Sequence, residues 1–223
     1  MKNVRVLSTR KLAFNQKGYL LNAGIQLLEV DFITIRHKTI SSDQKQLNRS
    51  LLITSQNAVK SILEQFPKSE LSNKEVFCVG QKTKALLEEN HINVVAWAEY
   101  AETLSELIVQ NYSDREFTFF CGNLRRNTLP NALQLASIKY AEIEVYETIL
   151  QPQRISTPLD GILFYSPSGV ESYFNSNDYN NETLFCIGTT TANALIKRGF
   201  NKIKTAKHPT IENVIIQCIK YYK

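Results

Sequence analysis

The sequence predicts an α/β fold with two doubly wound domains, each built on a parallel sheet. Short apolar runs typical of buried strands alternate with amphipathic runs of helical period along the whole chain. The pattern also occurs twice, since residues 51–62 (LLITSQNAVKSI) align with 162–173 (ILFYSPSGVESY), and 76–87 (VFCVGQKTKALL) with 184–195 (LFCIGTTTANAL). A period near half the chain indicates two copies of one unit, because solenoid repeats span only about 20–50 residues.

Composition narrows the class of protein. The chain has 223 residues, of which 43% are hydrophobic and 21% charged, so it is expected to fold and not to be disordered. The net charge of +5 comes without a Lys/Arg run, which fits an acidic small molecule at least as well as nucleic acid. The N-terminus leads directly into a predicted strand, and no apolar run has the length of a membrane span. We therefore expect a cytoplasmic protein with neither nucleic acid nor membrane as a partner.

The cysteines and histidines predict neither disulfides nor a metal site. The four cysteines are far apart and form no CxxC pair, and the three histidines show no metal-ligand spacing. Cys78 and Cys186 lie inside apolar runs, where we expect them to be buried packing residues.

The first half of the chain predicts five strands and four helices. The strands are apolar or alternating runs, the first helix is closed by Gly24, and the second stops before Pro67. The predicted strands are 4–7, 30–35, 51–54, 76–79 and 94–97, and the predicted helices are 16–23, 58–65, 83–90 and 101–110.

The second half repeats the alternation with the same signals. Residues 143–149 (IEVYETI) alternate as 30–35 (VDFITI) do, and Gly188 ends an apolar run before a helical stretch. The predicted strands are 117–120, 143–149, 161–165, 184–187 and a short one at Ile203, and the predicted helices are 129–135, a stretch ending at Phe174, 192–197 and 210–219.

Polar turns follow several of the predicted strands at their carboxyl ends. In open parallel sheets, ligands bind beyond these ends, so the turns are expected to line a cleft rich in hydroxyls and backbone donors. The turn at Gly188 leads through three threonines into a helix, whose N-terminus suits an anion. The alternative is that the threonines only cap the helix. The four turns are Ser8-Thr9-Arg10, Ser55-Gln56-Asn57, Ser166-Pro167-Ser168-Gly169 and Gly188-Thr189-Thr190-Thr191.

Several catalytic signatures do not occur in the sequence. It contains neither GxGxxG nor GxxxxGK[ST], it has no GxSxG turn, and its carboxylates form no pair that spacing alone identifies. From the residues alone, the chain is a two-domain α/β protein that binds an anionic small molecule.

Four stretches, in this order over the whole chain, resemble the uroporphyrinogen-III synthase family. Two departures from the family pattern are that Thr189 stands where Pro or Glu is common, and that no Pro follows Arg10. The stretches are Val6-Leu7-Ser8-Thr9-Arg10, Val145-Tyr146-Glu147-Thr148, Ser166-Pro167-Ser168-Gly169-Val170, and Gly188-Thr189-Thr190-Thr191-Ala192 with His208-Pro209-Thr210.

The resemblance implies an arrangement in which the chain crosses twice between two α/β domains. A two-stranded β-ladder would join the domains, with the active-site cleft between them. The implied boundaries are 1–31 with 152–223 for domain one, 39–142 for domain two, and 32–38 and 143–151 for the connecting strands.

The resemblance also implies a reaction. The family closes linear hydroxymethylbilane into uroporphyrinogen III, losing water and inverting ring D through a spiro intermediate. Such a lyase of tetrapyrrole and haem biosynthesis needs no cofactor and no metal. We expect a monomer, with a transient contact to the preceding enzyme of the pathway as a further expectation.

Site residues are carried over from the same resemblance. Tyr146 is the candidate catalytic residue, as a phenol that helps the hydroxyl leave, with a packed strand aromatic as the alternative. The candidate substrate-binding residues, which supply hydroxyls, amides or positive charge to carboxylates, are Arg10, Ser55, Gln56, Asn57, Gly122, Arg125, Ser166, Ser168, Gly188, Thr190 and Thr191.

A second hypothesis is a non-catalytic, two-lobed binding or sensor protein for an anionic small molecule. A sensor normally carries an output module, and the predicted domains leave no residues for one. The absence of a predicted signal peptide argues against a periplasmic binding protein.

Overall fold

The structure of the protein, a computed structural model, describes residues 3–223, apart from the side chains of Asp43 and Lys45. It divides into two compact units. Unit 1 contains the residues up to Thr34 together with Ile149–Lys223, and unit 2 contains Ile35–Thr148.

Unit 1 is built on a five-stranded sheet in the order β11-β10-β9-β1-β2, and all neighbouring strands in it are parallel. Its strands are β1 (Arg5–Ser8), β2 (Gln26–Glu29), β9 (Gly161–Phe164), β10 (Thr183–Cys186) and β11 (Ile203–Thr205). Its helices are α1 (Phe14–Asn22), α7 (Pro167–Phe174), α8 (Thr189–Ile196) and α9 (Ile211–Tyr222).

Helices cover both faces of the unit 1 sheet, because alternate strand residues face opposite sides. On one face, Leu163 and Phe185 pack with Leu20 of α1 and Ile215 of α9. The residues that alternate with them pack against α7 and α8 on the other face, in a cluster that contains Ile162, Phe164, Leu184, Val170 and Leu195. The predicted doubly wound arrangement is thus confirmed for this unit.

Unit 2 is built on a six-stranded sheet in the order β3-β8-β7-β4-β5-β6, in which the pairs from β8 to β6 are parallel. Its strands are β3 (Ile33–His37), β4 (Ser50–Ile53), β5 (Glu75–Val79), β6 (Val94–Ala98), β7 (Phe117–Gly122) and β8 (Tyr140–Leu150). Its helices are α2 (Gln56–Gln65), α3 (Lys68–Ser72), α4 (Gln81–Glu89), α5 (Ala101–Asn111) and α6 (Thr128–Leu135). A 3-10 turn (Ser42–Lys45) lies between β3 and β4. The unit boundaries after Thr34 and after Thr148 fall within β3 and β8, which are neighbours in this sheet.

Two core layers also enclose the unit 2 sheet. Leu51 and Ile53 of β4 face α2 and α4, whereas Leu52 between them faces α5 and α6. Phe77 lies in the second layer, where its ring meets Phe117 edge to face with the centroids 5.1 Å apart. The predicted α/β class, with mostly parallel sheets, is therefore confirmed in both units.

The structure corrects the predicted strand at residues 30–35. The chain forms two strands here: β2 pairs with β1 in unit 1, and β3 lies beside β8 in unit 2. Residues 30–32 between them are not in a strand, and Phe32 is fully buried in unit 1. The predicted strand therefore overlaps β3 alone, and β2 (Gln26–Glu29) was not predicted.

Two helices also differ from the prediction. The short helix α3 was not among the predicted helices. Helix α8 begins at Thr189 and not at Ala192, so the three threonines form its first turn. Among residues 3–223, no helix is long and apolar enough to cross a membrane.

Candidate active site

Each sheet has a switch point, at which two neighbouring parallel strands come from parts of the chain that are far apart in sequence. In unit 1, β1 lies beside β9, and in unit 2, β4 lies beside β7. From each such pair, the strand order runs outward in opposite directions, and open α/β sheets bind ligands beyond the carboxyl ends of the strands at such switch points. The residues that follow β1 and β9, and those that follow β4 and β7, are therefore the first candidates for a site.

At the unit 1 switch point, hydroxyl groups tie the two strand ends together. Ser8 Oγ donates to the carbonyl oxygen of Arg10 at 2.6 Å and lies 3.2 Å from the phenol of Tyr165. Thr9 Oγ1 donates to the carbonyl oxygen of Leu163 at 2.8 Å. Because these hydroxyls are nearly or fully buried and already paired, they support the edge and leave the binding of a ligand to other groups.

The guanidinium of Arg10 is the exposed charge at this edge. Its Cζ atom lies 6.0 Å from the centroid of the Tyr165 ring, and no carboxylate pairs with it in the part of the chain that the structure describes. An exposed, uncompensated arginine over an aromatic ring remains able to take a carboxylate in bidentate geometry.

Helices α7 and α8 begin beside this switch point and differ in their caps. Ser166 caps α7, since its Oγ accepts from the backbone N–H of Gly169 at 3.0 Å and lies 3.0 Å from Ser168 Oγ. Helix α8 starts after Gly188 and has no side-chain cap. The backbone N–H groups of its first turn therefore have no partner within the helix, which leaves a partial positive charge at this point.

The three threonines of α8 differ in exposure. Thr189 is exposed, Thr190 is half-buried, and Thr191 is only 2% exposed. The backbone amides and the Thr190 hydroxyl are thus better placed to meet a ligand than the Thr191 hydroxyl is.

The corresponding turn of the repeat, after Gly80 in unit 2, accepts a carboxylate of the protein itself. The backbone N–H of Gln81, the first residue of α4, donates to Glu99 Oε2 at 3.3 Å. A turn of this design therefore accommodates a carboxylate. In the described residues, no side-chain carboxylate accepts from the backbone N–H groups at the start of α8.

The unit 2 switch point holds Ser55, which caps α2. Its Oγ accepts from the backbone N–H of Asn57 at 3.1 Å. Gln56 is exposed and Asn57 is half-buried, so their side chains face solvent at least in part.

Tyr146 joins Ser55 and Gly122 in one cluster. In the β7–β8 ladder, Gly122 is the register partner of Tyr146. The ring lies so close to Gly122 that a Cβ atom on this glycine would be 2.4 Å from the Tyr146 Cζ atom. The Ser55 side chain lies near the phenol: burial raises the pKa of Tyr146, and hydrogen bonding by Ser55 opposes the shift. The phenol therefore remains protonated at neutral pH and can serve as a proton donor.

Arg125 is already paired within unit 2. Its Nε donates to Glu142 Oε2 at 2.8 Å and its Nη1 to Asn127 Oδ1 at 2.5 Å, and the bond with Glu142 is the main cause that raises the pKa of Arg125. A ligand carboxylate would have to compete with Glu142 for this guanidinium. The pair borders a hollow of about 520 Å³ whose lining also includes Gly122 and Asn123.

The structure thus groups the predicted residues within each unit. Ser55, Gly122 and Tyr146 meet in unit 2, and Ser166 and Ser168 meet at the start of α7 in unit 1. One residue that the sequence did not single out, Asn123, bonds to the same part of β8 as Gly122. The only local signal for it was an Asn directly after a Gly at a strand end. Among residues 3–223, no group of three or more His, Cys, Asp or Glu side chains is arranged to hold a metal ion.

Solved structures share this fold over nearly the whole chain. Uroporphyrinogen-III synthetase from Helicobacter pylori 26695 matches with a TM-score of 0.74 at 21% identity, covering 99% of this chain and 100% of that one. A mutant uroporphyrinogen III synthase from Thermus thermophilus matches at 0.71 with 14% identity, covering 99% and 100%. The wild-type protein of that organism, in another crystal form, matches at 0.55 with 16% identity, covering 98% of each chain.

At these identities, the structural similarity establishes the fold alone. The family follows from the sequence, since the model of the family described as uroporphyrinogen-III synthase HemD matches residues 16–216. That match includes the ends of β4, β7 and β9, the start of α8 and the whole of β8 with Tyr146. The chain therefore belongs to the uroporphyrinogen-III synthase family.

Proposed function

We propose that this protein closes hydroxymethylbilane into uroporphyrinogen III with loss of water and inversion of ring D through a spiro intermediate. The chain belongs to a family of cyclising lyases of haem biosynthesis that act on a tetrapyrrole. The observation that carries the proposal is the position of Tyr146, whose protonated phenol lies between Gly122 and Ser55 at the switch point of unit 2.

The chemistry assigned to Tyr146 is proton donation to the leaving hydroxyl. The C–O bond of the hydroxymethyl group breaks, water leaves, and the electron pairs of the pyrroles stabilise the cationic azafulvene. The substituted carbon of ring D then attacks this cation to give the spiro intermediate, which fragments and recloses. The proton lost when the closing pyrrole regains aromaticity balances the proton that the phenol supplied.

Most of the remaining rate enhancement is assigned to positioning. The pyrroles themselves drive the departure of the hydroxyl. The protein therefore mainly has to fold the linear tetrapyrrole so that the substituted carbon of ring D, and not its free carbon, reaches the cation. Holding the reacting atoms in this geometry replaces an improbable encounter with a unimolecular step.

The first turn of α8 and Arg10 are the proposed contacts for the substrate carboxylates. Uncapped amides and an unpaired guanidinium are suited to acetate and propionate groups. The binding roles of the other predicted residues stay predictions, and so do the domain boundaries and the active-site cleft. Those residues are Ser55, Gln56, Asn57, Gly122, Arg125, Ser166, Ser168, Gly188 and Thr191.

Thr190→Ala is expected to raise KM for hydroxymethylbilane about tenfold and to leave kcat unchanged. The variant removes one hydrogen bond to a charged group at a half-buried position, which corresponds to about 1.5 kcal/mol. Steady-state kinetics measure both constants. Thr157→Ala, an exposed threonine in the loop before β9, is the matched control, and a KM equal to wild type in Thr190→Ala would contradict the contact.

The activity itself is tested by the isomer that forms. Hydroxymethylbilane closes spontaneously to the type I isomer, so freshly generated substrate is mixed with the protein and the oxidised porphyrins are separated by isomer. We expect the type III isomer to predominate. A type I product at the uncatalysed rate would overturn the proposal and would favour the non-catalytic binding protein.

Three further predictions from the sequence stay predictions. They are the cytoplasmic location, the monomeric state and the transient contact with the preceding enzyme of the pathway. The binding or sensor hypothesis is not favoured, because the family to which the chain belongs consists of enzymes.

A further inference from the structure

We propose that Asn123 is a positioning residue for Tyr146: its side-chain amide continues the β7–β8 ladder beyond Gly122 and holds the segment of β8 that carries the phenol. The inference rests on the role proposed for Tyr146. All the residues that carry it lie in unit 2.

Asn123 makes three hydrogen bonds to β8. Its backbone N–H donates to the carbonyl oxygen of Tyr146 at 3.3 Å. Its side-chain Oδ1 accepts from the backbone N–H of Thr148 at 2.8 Å, and its Nδ2 donates to the carbonyl oxygen of Thr148 at 3.3 Å. The side-chain amide thus supplies both an acceptor for the N–H and a donor for the C=O of Thr148, which in a parallel ladder come from two peptide groups of the neighbouring strand.

The ladder needs this substitute because β7 ends early. Strand β7 stops at Gly122, whereas β8 continues to Leu150, and the register between them shifts between Cys121 and Gly122. Beyond Gly122, no residue of strand β7 is available to the peptide of Thr148. The Asn123 side chain occupies that place, so the β8 backbone is held on both sides of Glu147.

On the side that faces β3, this segment of β8 is restrained by an ion pair. The carboxylate of Glu147 pairs with the guanidinium of Arg36 on β3. Asn123 and Arg36 therefore restrain consecutive residues of β8 from its two neighbours in the sheet order, directly after Tyr146. A restraint at this point fixes the direction in which the Tyr146 side chain leaves the strand.

The Tyr146 ring has little freedom to tolerate a displacement. It lies against Gly122 at a distance that would not admit a methyl group, and its phenol also has to meet Ser55. Asn123 itself is exposed, so its hydrogen bonds contribute little to global stability. We therefore expect its loss to move the phenol without unfolding the protein.

The test is a double-mutant cycle. Asn123→Ala is expected to lower kcat roughly tenfold with KM within twofold of wild type, because a small displacement of a catalytic group is costly. In a Tyr146→Phe background, the same substitution is expected to lower kcat less than twofold, since the group it positions is absent. An equal loss of kcat in both backgrounds would overturn the inference.

A spectroscopic measurement separates this inference from the function of Tyr146. With 3-fluorotyrosine at position 146, the ¹⁹F resonance and its titration report the position of the phenol independently of turnover. We expect Asn123→Ala to shift the resonance and to lower the phenol pKa towards that of free fluorotyrosine. If Tyr146→Phe leaves kcat unchanged but the ¹⁹F signal shifts, the catalytic role fails and the positioning role stands; an unmoved signal overturns the positioning role.

Two further variants complete the design. Asn131→Ala, at an exposed position on α6, is the matched control and is expected to retain the wild-type kcat and ¹⁹F spectrum. Asn123→Asp preserves the acceptor for the Thr148 N–H but replaces the donor with an oxygen that repels the Thr148 carbonyl. We expect it to reproduce the ¹⁹F shift of Asn123→Ala, and it serves as the decisive variant if the alanine protein does not fold.

Discussion

Tyr146→Phe is expected to reduce kcat for ring closure about a hundredfold, the lower end of what a positioned acid contributes. The change removes only the phenolic oxygen, which lies near the Ser55 side chain, and leaves the ring against Gly122. Because the packing surface is retained, we expect KM to stay within twofold and the midpoint of thermal unfolding to fall only slightly.

The control for this variant is Tyr140→Phe. Tyr140 lies at the start of the same strand, is also half-buried, and packs in the layer that faces α5 and α6. It is expected to keep the wild-type kcat. Single-turnover measurements with freshly generated hydroxymethylbilane give the rate of ring closure directly. Wild-type kcat in Tyr146→Phe would show that the phenol is a packed strand aromatic.

The pH dependence follows from the raised pKa of Tyr146. Burial disfavours the phenolate, so the phenol loses its proton only above the usual value for tyrosine, which is about 10. The rate contributed by the phenol is therefore expected to stay constant through neutral pH and to fall only in alkaline solution. A loss of kcat centred near neutral pH, absent from Tyr146→Phe, would contradict this assignment.

Local chemistry explains why much of the fold could be predicted. Strands such as residues 51–53 and 184–186 are continuous apolar runs, and Ser166 with Pro167 after it is a strong signal for the start of a helix. These signals act within a few residues, so a single sequence reveals them. The internal repeat then predicted that the chain contains two similar units.

The errors arose where the local sequence pattern is compatible with more than one structure. Residues 30–35 alternate like a strand, yet the structure ends β2 before them and starts β3 at Ile33 in the other sheet. Which sheet a strand joins depends on distant partners, and the period of the hydrophobic residues does not contain this information. The threonines after Gly188 were similarly ambiguous between a loop and the first turn of a helix.

The candidate site depended still more on distant contacts. Gly122 and Tyr146 meet across two strands through a shifted register, which no local pattern predicts. Arg125 was predicted to bind a substrate carboxylate, and nothing in the sequence indicated that it pairs with Glu142, as it does in the structure. The sequence therefore identified residue types suited to the chemistry, and the strand pairing decided which of them are brought together.

Gly122→Ala is expected to lower kcat nearly as far as Tyr146→Phe does, about a hundredfold. A Cβ atom at position 122 would lie 2.4 Å from Cζ, 2.6 Å from Cε2 and 2.8 Å from the hydroxyl oxygen of Tyr146. These distances are shorter than any van der Waals contact, so the ring has to move and its phenol leaves Ser55. Overpacking of this kind also costs about 1–3 kcal/mol of the free energy of unfolding.

The steric origin of that cost has its own test. In a Tyr146→Ala background, the ring that meets the new methyl group is gone, so Gly122→Ala is expected to destabilise the protein by less than about 0.5 kcal/mol, within the usual limits of additivity. Gly18→Ala is the matched control, because a Cβ atom there meets nothing within 4 Å in helix α1, and it is expected to stabilise the protein by up to about 1 kcal/mol with unchanged kcat. Chemical denaturation and single-turnover kinetics measure both quantities. A Gly122→Ala protein with the wild-type kcat would mean that the phenol can act from a displaced position, and the close contact between Gly122 and Tyr146 would then have no part in catalysis.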